Sequence, residues 1–187
     1  MNTCVRLTRS LVKGIDHFTE KTGRTVAWLN LLLMLVVCTV VLLRYLFNQG
    51  SIALQESATW IHTIIFLSAC AWTLKHNGHV RVDIFYRRFS PRRQALVNAL
   101  GSLFLLLPVC VLIGVMSWEY VSQSWAIRES SQEAGGMPAL YLMKSLILVL
   151  TATLILQGIA EALRNLLIFT GHDAPPADAE TLPREAA

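Results

Sequence analysis

Charge is nearly absent from four long stretches of this sequence, and that scarcity excludes more than it leaves open. Thr25–Leu43 runs 19 residues without a charge, and Ala58–Leu74 runs 17 with a single histidine. Ala95–Ser117 runs 23, and Ala139–Ala160 runs 22 with Lys144 as its one interruption. A pump or proton relay wants ionisable groups facing one another inside the membrane, and these stretches hold only His62 and Lys144, on separate spans. A bis-histidine haem needs a second intramembrane ligand, and His62 stands alone within a span. The four cysteines, Cys4, Cys38, Cys70 and Cys110, show neither CxxC nor metal spacing and read as small apolar packing residues. No nucleotide, zinc-protease, nucleophile-elbow or dinucleotide motif occurs. The expectation is a chain with no active site, no cofactor and no metal.

What is there is apolar length. A hydrocarbon core about 30 Å thick takes roughly 20 helical residues. The runs are apolar on every side and do not alternate, which favours helices over barrel strands. The expected architecture is all-α: four transmembrane helices, at about 25–43, 54–74, 95–117 and 139–160, in one membrane domain over 25–170. A leader, 1–24, precedes them, and a Pro/Ala/Glu-rich tail, 171–187, is expected to be flexible. No small-residue cleavage site follows the first run, so it is expected to be retained as a span.

Position explains the formal charge of +4 better than the sum does. Thirteen Lys and Arg fall in the leader, the second loop and the tail; Arg44 and Arg128 fall on the other side, with Lys144 just inside span 4. The positive-inside rule places both termini and loop two in the cytoplasm. Topology and lipid headgroups account for the basic residues, so nucleic acid is not an expected partner. Trp28 and Trp72 mark the inner ends, and Tyr45, Trp60, Trp118, Tyr120, Trp125 and Tyr141 the outer ends, as an aromatic belt. In the leader, Leu7, Leu11, Ile15 and Phe18 share one helical face, which predicts an amphipathic helix lying in the plane of the inner leaflet.

Ser90 and Pro91 form a helix start before span 3, and Pro108 predicts a kink within it. Pro138 is expected to open the last helix. Small residues mark close-packing surfaces: Ser68, Ala69 and Ala71, then Gly101, Ser102 and Gly114, then Ala152, Gly158, Ala160 and Ala162. Glu56 opens span 2 and shares a face with Trp60 and Thr63. Arg44 pairs with Glu56 across the short loop, or the two stand apart among headgroups. Lys144 is expected to snorkel outward, and Glu161 with Arg164 to form a surface pair at the inner end. His62, Asn30 and Asn98 are expected to hydrogen-bond to neighbouring helices. Gly78 permits a reversal after span 2, where His79, Arg81 and Asp83 shape the turn.

From Arg44 to Phe85 the chain reads RYLFN and then QESATWIHTIIFLSACAWTLKHNGHVRVDIF. An Arg-aromatic turn (Arg44, Tyr45) is followed by a Glu opening helix two (Glu56, with Trp60) and a His-x-x-x-Asp exit (His79, Asp83). FSPRR then enters helix three. In order and topology, over about residues 25–170, this resembles the DctQ-like small integral membrane subunit of tripartite ATP-independent periplasmic (TRAP) transporters. The later SSQEAGGMPALYLMK and LQGIAEALRN are similar to a subgroup that handles mannitol/chloroaromatic-type or larger organic-acid solutes. The resemblance implies a large permease subunit carrying the substrate and sodium sites, and a periplasmic solute-binding protein that captures solute. This chain would then be a scaffold beside the large subunit, in contact with membrane lipids. Two other classes stay open on the residues alone. An autonomous multidrug-type transporter would want a membrane-embedded carboxylate, and a membrane redox or cytochrome b-like protein would want paired cysteines or histidines.

Overall fold

The computed structural model of the chain describes residues 2–80 and 86–174, without the side chains of Asn2 and Arg87. Among these residues there is no strand. The helices are α1 (Asn2–Ala27), α2 (Leu29–Leu46), α3 (Ile52–Lys75), α4 (Pro91–Gly101), α5 (Leu107–Ala126) and α6 (Leu140–Phe169). A short π-helix, Ser102–Leu106, joins α4 to α5. Four helical runs are long and apolar enough to cross a membrane: 3–46, 52–75, 91–126 and 140–169. In the first, the apolar crossing is α2. A tightened turn at Trp28 sets it off from α1, where the Leu31 N–H donates to the Trp28 carbonyl at 3.1 Å.

The four runs close in one way. A residue in the left-handed region follows the last turn, and the next N–H reaches back to a carbonyl five residues earlier, or six at the close of α2. Asn48, Asn77, Arg128 and Gly171 take the left-handed position. The N–H groups of Gln49, Gly78, Glu129 and His172 donate to Leu43, Thr73, Ser124 and Leu167 at 2.9–3.1 Å. The reversal after α3 therefore sits at Asn77 and not at Gly78. Starts are less uniform. Ser51 caps α3 by accepting from the Leu54 N–H at 3.3 Å. Pro91 takes the first turn of α4, but Ser90 makes no side-chain cap. Pro138 does not open α6, which starts two residues later after a left-handed Ala139.

Pro108 brings no N–H and crowds the carbonyl one turn back. The chain accommodates it with the π turn, in which the Leu107 N–H donates to the Ser102 carbonyl. Such widened turns re-route the hydrogen bonds that a proline disrupts.

The packing centre is α6, which touches α1, α3, α4 and α5, while α2 lies against α3. In the most apolar window of α6, 28% of residues are buried, against 6% in each of the first two runs. Small residues let α5 approach α6. A Cβ on Gly114 would sit 3.4 Å from the Thr151 hydroxyl, and one on Gly158 would sit 3.0 Å from Leu106. Ala160 is wholly buried. Gly101 and Ala152 do not share this role: a Cβ on Gly101 would meet open space, and Ala152 is exposed.

Candidate partner interface and its two polar anchor points

Polar chemistry collects at the two ends of the helical array. The first collection lies where α1 meets the close of α6. The Asp16 carboxylate accepts two hydrogen bonds from Arg164, at 2.7 and 2.8 Å, and a third from Gln157 at 3.1 Å. Arg164 also pairs with Glu161 one turn earlier. The Thr19 hydroxyl donates to the Gln157 side-chain oxygen at 2.7 Å, and Gln157 is wholly buried. The Asn165 amide donates to Glu161, and its oxygen accepts from Asn98, which also donates to the Tyr86 hydroxyl at 2.7 Å. This chain ties α1, α4 and α6 together. Hydrogen bonds to charged groups contribute about 1.5–3 kcal/mol each, so even partial hydration leaves a firm joint.

Alongside it, Glu20 accepts from Lys75 at 2.7 Å and from Arg24 at 2.8 Å, with His76 at 3.4 Å. The hydrogen bonds from Lys75 and then Arg24 hold the Glu20 carboxyl down at about 2. Gly23 lets α1 lie directly on Trp72, since a Cβ there would fall 2.2 Å from the indole. The face of α1 turned to α3 and α6 thus carries Val12, Asp16, Thr19, Glu20, Gly23 and Val26. Leu7, Leu11 and Phe18 are left exposed on its outer side.

The second collection holds the connection between α5 and α6. Glu56, at the start of α3, accepts from the Ser131 hydroxyl and from the Met137 N–H, the latter at 2.5 Å. Glu129 accepts from Lys144 at 2.5 Å and from the Ser124 hydroxyl at 2.7 Å. Those donors, Lys144 foremost, hold the Glu129 carboxyl below its ordinary value. The Lys144 ammonium also sits 4.1 Å from the centre of the Tyr120 ring. Trp125 donates to Ser145 at 2.8 Å and meets the Tyr141 ring edge-on.

Several sequence expectations change here. Arg44 and Glu56 do not pair: Arg44 is exposed, and Glu56 is committed to the connection. Lys144 does not snorkel free; it is 15% exposed and bonded to Glu129. Glu161 and Arg164 do pair, but in a partly buried cluster with Asp16. Asn98 bonds across helices, whereas Asn30 donates to Ala27 one turn back. His62 faces outward and stacks on Phe66 of its own helix. Trp60 is half-buried, one turn on from Glu56. His79 lies 3.4 Å from the Cys70 carbonyl. Arg81 and Asp83 lie outside the described residues, as does 175–187 of the expected tail.

Sequence reasoning missed Asp16, Glu20 and Gln157. The signal was there: two carboxylates four residues apart on one face of an otherwise basic leader, and one amide near the inner end of span 4. Between the two anchor points the array is apolar and largely uncovered. No residue of α2 is buried, and α5 leaves Leu112, Val115 and Met116 more than half exposed. Among the described residues no cluster of His, Cys, Asp and Glu is placed to hold a metal ion.

The family model for tripartite ATP-independent periplasmic transporters, DctQ component, matches residues 33–167. No curated protein and no solved structure matches the chain.

Proposed function

Because this chain belongs to the DctQ component family of tripartite ATP-independent periplasmic transporters, we propose that it is the scaffold on which a large permease subunit is assembled. The large subunit carries out sodium-coupled uptake of organic acids or related solutes, delivered by a periplasmic solute-binding protein. The chain lies in the bacterial inner membrane with both termini in the cytoplasm, as its basic residues argue. Its leader helix rests at the inner leaflet with Leu7, Leu11 and Phe18 toward lipid. His79, Arg81 and Asp83 shape the inner turn at which the subunits meet.

One observation carries this reading. The partly buried charges are spent on holding the chain's own ends together, and the apolar middle of α2 and α5 is left open. A transport site needs ionisable or polar groups facing a path; an assembly surface needs an apolar wall and rigid ends. The autonomous-transporter reading would require Glu56 or Glu161 to be available for solute, and each is engaged within the chain.

The test is co-expression with the cognate large subunit. The two are expected to co-purify in mild detergent, and uptake in proteoliposomes is expected only with both subunits, the binding protein and a sodium gradient. Uptake by this chain alone would refute the scaffold reading. Asp83→Ala is expected to weaken co-purification; unchanged assembly and uptake would remove Asp83 from the interface.

A further inference from the structure

The connection between α5 and α6, residues 127–139, has no regular structure of its own, yet all three helices around it hold it in place. From α3, Glu56 takes the Ser131 hydroxyl and the Met137 N–H. From α5, Ser124 donates to the Glu129 carboxylate, and from α6, Lys144 does the same. Inside the loop the Ser131 N–H donates to the Met137 carbonyl at 3.1 Å, and the Gly136 N–H to the Glu133 carbonyl at 2.9 Å. Gly136 fits because a Cβ there would fall 2.5 Å from the Ser131 hydroxyl and 2.9 Å from Glu56. Connections of this length without secondary structure are uncommon in compact domains unless they work. This one is fixed from below and bare on top: Ser130, Gln132, Glu133, Ala134 and Gly135 are exposed.

We propose that Glu56 is a positioning residue that presets the crown of this loop, Ser130–Gly135, as the surface on which the soluble solute-binding protein docks. The inference rests on the transporter reading above and adds the place and the device. The crown's chemistry selects its occupant. It is small, polar and exposed, which is wrong for lipid tails and wrong for an obligate subunit interface, where the buried core is apolar. It suits a water-soluble protein that binds and leaves. Fixing such a loop beforehand removes an ordering cost that binding would otherwise carry.

The test uses the reconstituted two-subunit permease with purified binding protein added in increasing amounts. Glu56→Ala is expected to raise the binding-protein concentration for half-maximal uptake by about 10-fold to 100-fold, the loss expected from one hydrogen bond to a charged group. Maximal rate and subunit co-purification are expected to stay as in the parent. Gln132→Trp, which leaves the tethers intact and crowds the crown, is expected to raise it as well; this variant decides the matter if Glu56→Ala does not fold. Half-saturation unchanged in Gln132→Trp, or in a folded Glu56→Ala, would overturn the proposal. Failure of the parent chain to co-purify would instead overturn the subunit reading and would be seen before any binding protein is added.

Discussion

Replacing Arg164 by Met tests whether α1 is held by charge. Arg164 gives two hydrogen bonds to Asp16 and pairs with Glu161. The three side chains are 28%, 23% and 11% exposed. A fully buried pair loses about 3–5 kcal/mol when one partner goes, and a surface pair loses about 0–1 kcal/mol. This site lies between, and removing Arg164 leaves two carboxylates facing each other, so about 2–3 kcal/mol of α1 docking should be lost. The Thr19–Gln157 bond and the Gly23–Trp72 contact remain and limit the damage. Each 1.4 kcal/mol is a factor of ten, so local opening should increase about 30-fold to 150-fold. Amide exchange in nanodiscs reads this directly: residues 12–26 should exchange faster while α5 is unchanged. Asp16→Asn alone should cost about 1–2 kcal/mol. Its effect in the Arg164→Met background should be much smaller, because the two residues share one interaction. Additive effects, or exchange in 12–26 altered by less than about twofold, would refute the argument.

Gly23→Ala should weaken α1 docking by about 1–3 kcal/mol through overpacking on Trp72, although alanine is the better helix former by about 1 kcal/mol; a variant melting at the parent temperature would contradict the close approach. Glu20 gives a pH dependence. Its carboxyl binds a proton less readily folded than unfolded, so its contribution is complete above about 4.5 and is lost as pH falls toward about 2. Exchange protection of α1 followed over that range should fall more steeply in the parent than in Glu20→Gln, and parallel curves would argue against the Lys75–Glu20 tie. Lys144→Met should leave Glu129 with Ser124 alone and speed proteolysis of 127–139, and adding Glu129→Gln should restore part of the protection; a loop no more accessible than the parent's would show that the pair is dispensable.

The spans were legible because they rest on composition. Apolar runs about as long as the membrane core is thick have few other fates, and the structure has four helical runs long and apolar enough to cross one. Single-residue geometry was legible in places. Pro108 announced a disturbance, yet only the structure shows that a π turn absorbs it. The anchor points were less legible, since hydropathy treats each charge as a cost at a boundary and not as one half of a pair. Asp16 and Arg164 are 148 residues apart, and Glu56 and Met137 are 81 apart. No periodicity connects such partners. Arg44 was the near choice for Glu56 on sequence distance, and the structure favours the connection between α5 and α6.

Lipid tails are as apolar as leucine, so helices in a membrane gain little by burying apolar surface against one another. An array whose middle is apolar must therefore take its register from close backbone approach and from polar contacts where water thins. Both occur on α6. Gly158 and Ala160 admit its neighbours, and Gln157, Glu161, Arg164 and Asn165 fix them. The outward side of α2 carries no such information, as none of its residues is buried within the chain. Damage should divide accordingly. Substitutions along the buried stripe of α6 should cost the fold, whichever partner is present. Substitutions of exposed α2 residues such as Leu35 or Leu42 should leave the isolated chain as stable as before and be felt only in what assembles against it. A large loss of isolated stability from Leu35→Ala would mean that α2 is already packed within the chain, and the open wall on which the scaffold reading depends would not exist.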